Sequence, residues 1–142
     1  MMKIVRDIIS IGLVLSGLLG TQVLVTDKWL WVSAPTHALG LLGFVVIDLA
    51  LGLAIWWRTL IAIVGGAFAS GIQLVAMLAD IAVGQPMGVA ASAFRLYLLS
   101  DSSYILLLLT QLSILTIGAV ALASPFIHRH VRWATLLRVV RP

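Results

Sequence analysis

The chain has 142 residues, of which 62% are hydrophobic and only 10% charged, a balance far more apolar than the roughly half-apolar, quarter-charged average of soluble domains. It carries a formal net charge of +4 and no cysteine, which excludes disulfides, thiolate metal sites, iron–sulfur clusters and cysteine nucleophiles. One all-α domain over residues 1–142 is expected, an integral membrane bundle of four transmembrane helices with no residues left for a soluble domain.

Lys3, Arg6 and Asp7 precede an uncharged run over residues 8–26. The run is too long for a secretory leader and lacks a small-x-small cleavage pattern, so an uncleaved signal anchor with a first span over residues 4–25 is expected. Helices in lipid associate by close van der Waals contact, and Gly12, Ser16 and Gly20 offer a face of small residues for it. Asp27, Lys28, Trp29 and Trp31 form a polar and aromatic connection suited to a membrane surface, and Pro35 suits the first turn of the next helix.

The second and third spans are expected over residues 36–57 and 59–79, separated only by Arg58 and flanked by Trp56 and Trp57. Ala62, Gly66 and Ser70 repeat the small-residue stripe in the third. Residues 81–102 are too long for a simple turn and too interrupted by Gly84, Pro86 and Gly88 for a span. A short interfacial or re-entrant helix over residues 89–99 is expected, with Phe94, Tyr97, Leu98 and the single charge Arg95. It lies flat in the interface, covers a neighbouring subunit, or seals the end of the bundle. The fourth span is expected over residues 103–127, followed by a basic tail over residues 128–142. There Arg129, Arg132, Trp133, Arg138 and Arg141 suit either an anionic leaflet, at about 1 kcal/mol per Arg, or a partner subunit.

With the N-terminus in the cytoplasm, seven Lys and Arg (Lys3, Arg6, Arg58, Arg129, Arg132, Arg138, Arg141) fall inside and two (Lys28, Arg95) outside. This positive-inside bias predicts both termini in the cytoplasm and a multi-pass location in the cell (plasma) membrane. The basic residues are sorted by topology and not gathered on an aromatic-studded face, so lipid and larger membrane subunits are the expected partners and nucleic acid is not.

An ionisable group at bilayer depth costs on the order of 3 kcal/mol on insertion scales, which makes Asp48 the leading site residue. At 1.5 Å per residue it lies about 18 Å below the outer surface, with Gln73 and Gln111 facing each other at about 10 Å and Gln22 near the outer end of the first span. Two readings stand side by side. In one, Asp48 is a proton-relay or substrate-binding carboxylate at the end of a polar pocket; in the other it is uncharged and hydrogen-bonded across helices for stability. His37 starts the second span as a candidate ligand or interface group, but His128 and His130 lie about 30 Å away across the hydrocarbon, so no metal site forms from the three. No phosphate-cradling loop, Ser-His-Asp order or paired-carboxylate constellation is present, so independent catalysis and cofactors of its own are not expected.

The run Val46-Ile47-Asp48-Leu49-Ala50-Leu51-Gly52-Leu53, ending at Arg58-Thr59 and reopening into Gly65-Gly66, resembles the second-to-third span hairpin of DoxX-like and DoxD-like four-helix membrane proteins, with Asp where those carry Glu. The resemblance implies a place near quinone-linked respiratory enzymes, with haem or quinone held by neighbouring subunits. The expected function is an accessory subunit of a terminal oxidase or quinol-handling assembly, packing and sealing it and lining a quinone or proton pocket. The alternatives are a homo-oligomeric transporter or proton channel with Asp48 as coupling group, and a haem-binding electron carrier using His37 with a ligand from another chain.

Overall fold

The computed structural model describes residues 2–55 and 59–123. Trp56, Trp57, Arg58, His128, His130 and the tail residues Arg129, Arg132, Trp133, Arg138 and Arg141, and with them the expected basic turn and tail, lie outside the described residues. Six helices follow in order: α1 (Met2–Thr26), α2 (Lys28–Ser33), α3 (Pro35–Ala54), α4 (Thr59–Val83), α5 (Ala91–Ser100) and α6 (Ser102–Ala123). Four of them, α1, α3, α4 and α6, are long and apolar enough to cross a membrane, which makes the chain a multi-pass helical membrane protein.

Several boundaries differ from the sequence reading. α4 runs on past residue 79 to Val83, because Asp80 finds a partner in His37 and does not break the helix. α2 was not expected; Asp27 caps it by accepting a hydrogen bond from the Leu30 amide at 3.1 Å, and Trp31 Nε1 ties it back to the Leu24 carbonyl at 2.8 Å. α5 packs on α4 and α6 with Phe94 and Leu98 turned inward, and Arg95 donates to the carbonyls of Ile81 and Ala82 at 2.8 and 2.9 Å, satisfying the last turn of α4.

In the bundle, α1 packs on α3, α4 and α6, and α4 packs on α6, whereas α3 and α6 do not meet along their backbones among the described residues. α1 and α4 thus form the short diagonal. Small residues let the helices close in: Gly66 lies against Ile9 and Leu13, Gly52 against Val14, Gly118 against Ala67, and Gly12 and Gly20 against Ile114 and Val45. At the end holding the N-terminus of α1, the buried residues Ile9, Leu13, Ile55, Ile63 and Ile114 make a continuous apolar plug. At the other end α2 packs on α1 and α3, and α5 on α4 and α6.

Candidate functional site

Each spanning helix sends one polar side chain to a common point. Ser16 of α1, Asp48 of α3, Gln73 of α4 and Gln111 of α6 are all at most 2% exposed. Asp48 Oδ2 accepts from Ser16 Oγ at 2.5 Å and from Gln111 Nε2 at 3.0 Å, while Oδ1 accepts from Gln73 Nε2 at 2.5 Å. Gln111 Nε2 also faces Ser16 Oγ at 2.5 Å and the Gln73 side-chain oxygen, so its two hydrogens are shared among three acceptors. Gln111 Oε1 and, one turn from Gln73, Ser70 Oγ are buried with no hydrogen-bond partner. Among the described residues Asp48 has no ion-pair partner. Its carboxyl group is therefore held entirely by neutral donors, in surroundings where an unpaired charge is costly.

Directly beyond this cluster, towards α2 and α5, lies a cavity of about 360 Å³. Gln73 forms part of its lining at the deep end, and Thr36, His37, Asp80 and Asp101 line it at the α2–α5 end. Between them the walls are Leu41, Phe44, Met77, Phe94, Tyr97 and Leu107. Gln73 and Asp80 are seven residues apart on α4, about 10 Å along the axis. The polar groups of the mouth already have partners: His37 Nε2 lies 3.3 Å from Asp80 Oδ1, His37 Nδ1 lies 3.3 Å from Thr36 Oγ1, and Asp101 Oδ1 accepts from the Ser103 amide at 2.8 Å. Trp29 packs on Tyr97 with the rings tilted by 40° and their centroids 4.2 Å apart, and His37 and Phe94 meet edge to face at 5.0 Å. The apolar plug lies on the far side of the cluster, so the Gln73 end of the cavity faces the cluster and the His37–Asp80 end faces α2 and α5.

The structure brings Asp48, Gln73 and Gln111 into contact, and with them Ser16, which the sequence suggested only as a packing residue. The depth difference expected between Asp48 and the two glutamines is corrected. α4 extends to Val83, which lowers Gln73 to ten residues from the helix end, and the glutamine side chains span the remainder. Gln22 does not join; its side chain is exposed on α1. Gly12, Gly20 and Gly66 sit at helix contacts, Ser70 is buried, and the side chain of Ala62 is outside the described ones. His37 is at the mouth, beside Asp80, a pairing that sequence distance concealed. The missed residues had one usable signal, depth: Ser16 lies ten residues from the end of α1, about 15 Å, comparable with Gln73 on α4.

The fold and site define a multi-pass helical membrane protein with a cavity that meets, through Gln73, a buried polar cluster around one carboxyl group. No known protein family, characterised protein or solved structure matches the chain.

Proposed function

We propose that the chain is a small non-catalytic subunit of a multi-subunit membrane assembly of the respiratory type, a terminal oxidase or quinol-handling complex. In this reading it seals the assembly and receives a quinone-like amphipathic molecule in its cavity. The observation supporting a ligand site is the combination of aromatic and aliphatic walls with a hydrogen-bonding amide at the deep end, the usual chemistry of a small-molecule site. Both acids at the mouth are already used, Asp80 with His37 and Asp101 as a helix cap, which favours a neutral ligand over a cation. The positive-inside distribution supports both termini lying in the cytoplasm of a cell with the chain in its plasma membrane, and in this reading the α2–α5 end of the cavity faces outside. A haem ligated by His37 draws no support from the geometry, since both ring nitrogens are engaged.

A second reading, a small homo-oligomeric transporter or proton channel coupled through Asp48, is favoured by the convergence of all four spans on that residue. The apolar plug would make this conformation the one closed to the cytoplasm.

Purification from native membranes in mild detergent, with mass spectrometry of the co-migrating chains and an optical spectrum of the same fraction, tests the assignment. Co-migration with haem-containing subunits supports the subunit reading; migration alone or as a homo-oligomer rejects it. Gly40 lines the cavity and a side chain there meets nothing within 4 Å of its Cβ, so Gly40→Leu adds bulk at the cavity wall and is expected to lower the bound quinone without unfolding the chain. Quinone recovered equally from both proteins would refute the ligand site.

A further inference from the structure

We propose that the side-chain amide of Gln73 links occupancy of the cavity to a proton at Asp48, so that a ligand reaching the floor is bound together with one proton. The inference rests on the cavity being the ligand site proposed above. Gln73 is the residue that belongs to both: it lines the cavity and it is the donor to Asp48 Oδ1. The donors to Oδ2, Ser16 and Gln111, are fully buried and do not line the cavity. A ligand at the floor therefore acts on one carboxyl oxygen and leaves the other held.

The groups facing Asp48 are Ser16 from α1, Gln73 from α4 and Gln111 from α6, none of which titrates as an acid or base in water. Along the cavity the titratable groups are His37, Asp80, Tyr97, Asp101 and Tyr104. Asp80 lies about 10 Å from Gln73 along α4, and His37 is paired with it. A proton exchanged in response to a head group at the floor accordingly belongs to Asp48.

The exchange is a balanced acid–base step. With Asp48 ionised, Oδ1 accepts from Gln73 Nε2. With Asp48 protonated, Oδ1 becomes a donor and needs an acceptor, which Gln73 supplies by turning its amide so that Oε1 faces the carboxyl group. The turn replaces the Gln73 oxygen that had accepted from Gln111 Nε2 with Gln73 Nε2. The Gln111 amide turns with it to offer its unpartnered Oε1 to one Nε2 hydrogen, Oδ2 keeps Ser16, and the second Nε2 hydrogen is left for a carbonyl oxygen of the ligand. One proton passes from water through the cavity to Oδ1, one O–H bond forms, and no electron moves. Coupling of this kind is reciprocal: protonation of Asp48 favours the ligand as much as the ligand favours protonation.

The test is calorimetric titration of the full chain in detergent micelles with decylubiquinone, over a series of pH values and in two buffers of different ionisation heat at each, the difference giving protons bound per ligand. In the wild type, uptake is expected to peak towards one proton at a pH where the ligand-free chain holds Asp48 ionised, with none at any pH in Asp48→Asn or Gln73→Leu. Ligand binding without proton uptake, or uptake unchanged in Asp48→Asn, overturns the linkage and leaves the ligand site standing. No binding of decylubiquinone to the wild type overturns both. Where Asp48→Asn does not fold, Asp80→Asn supplies the second arm: retained uptake supports Asp48, and lost uptake assigns the proton to the mouth and overturns the proposal.

Discussion

Gly118 and Gly40 give the same chemical change opposite consequences. A methyl group at Gly118 would sit 2.6 Å from the Cβ of Ala67, an atom with no flexible chain behind it, whereas at Gly40 nothing lies within 4 Å. Carbon atoms rest about 3.5–4.0 Å apart, so Gly118→Ala forces α4 and α6 to separate by roughly 1 Å where they seal the bundle. Both substitutions share the helix-propensity gain of Gly→Ala, and it cancels in the difference between them. What remains is the overpacking cost, about 1–3 kcal/mol, so Gly118→Ala is expected to be less stable than Gly40→Ala by that amount. Unfolding of both variants by SDS titration, followed by helical circular dichroism, measures it. Equal stabilities would mean that α4 and α6 are not in contact at this level and that the bundle is not closed there.

The other predictions concern single groups. Asp48→Leu leaves the donors of Ser16, Gln73 and Gln111 without their shared acceptor and is expected to destabilise by about 2–5 kcal/mol, against about 1 kcal/mol for Ser16→Ala and no detectable change for Gln22→Leu, by the same SDS titration. Arg95→Ala removes the two bonds that satisfy the end of α4, and faster amide hydrogen exchange confined to residues 81–83 and α5 is expected; uniform protection would show that Arg95 does not hold α5 down. The His37 and Asp80 side chains are 22% and 33% exposed, so His37→Gln is expected to change stability by less than about 1 kcal/mol. A larger loss would make that pair a structural element of the mouth.

The four spans were legible because a membrane imposes a length and a composition at once, and runs of about 20 apolar residues have few other uses. Their ends were less so. The rule that a span stops at its first acid fails for Asp80, whose partner His37 lies on α3 and is invisible to any local pattern. α2 carried a readable signal, the Asp27 cap, but its six residues are overshadowed by the tryptophans on either side of Leu30. In the site, Asp48, Gln73 and Gln111 stood out because polar groups are rare at that depth. Ser16 did not, because a serine in a lipid-embedded helix serves equally as a small packing residue or as a donor, and only the facing helix decides which. The cavity was not legible at all: its lining is drawn from all six helices, from Val23 of α1 to Leu107 of α6, a property of the arrangement and not of any segment.

Stability alone is a weak reason for the carboxyl group. The closed end of the bundle is held by glycine contacts and an apolar plug with few polar atoms, so these helices associate without buried charge. Were the cluster only a device to fix helix register, an asparagine would serve at position 48 at lower desolvation cost, since an amide accepts and donates within the same ring of Ser16, Gln73 and Gln111. What an asparagine lacks is the ability to gain and lose a proton. The carboxyl group also sits one side chain behind the cavity, shielded by an amide that can turn either end towards it, and not inside the plug where packing would be insulated from ligand. Position and chemistry together favour exchange over glue. Asp48→Asn separates the two: near-wild-type stability with altered proton uptake is the outcome that the placement of Gln73 requires.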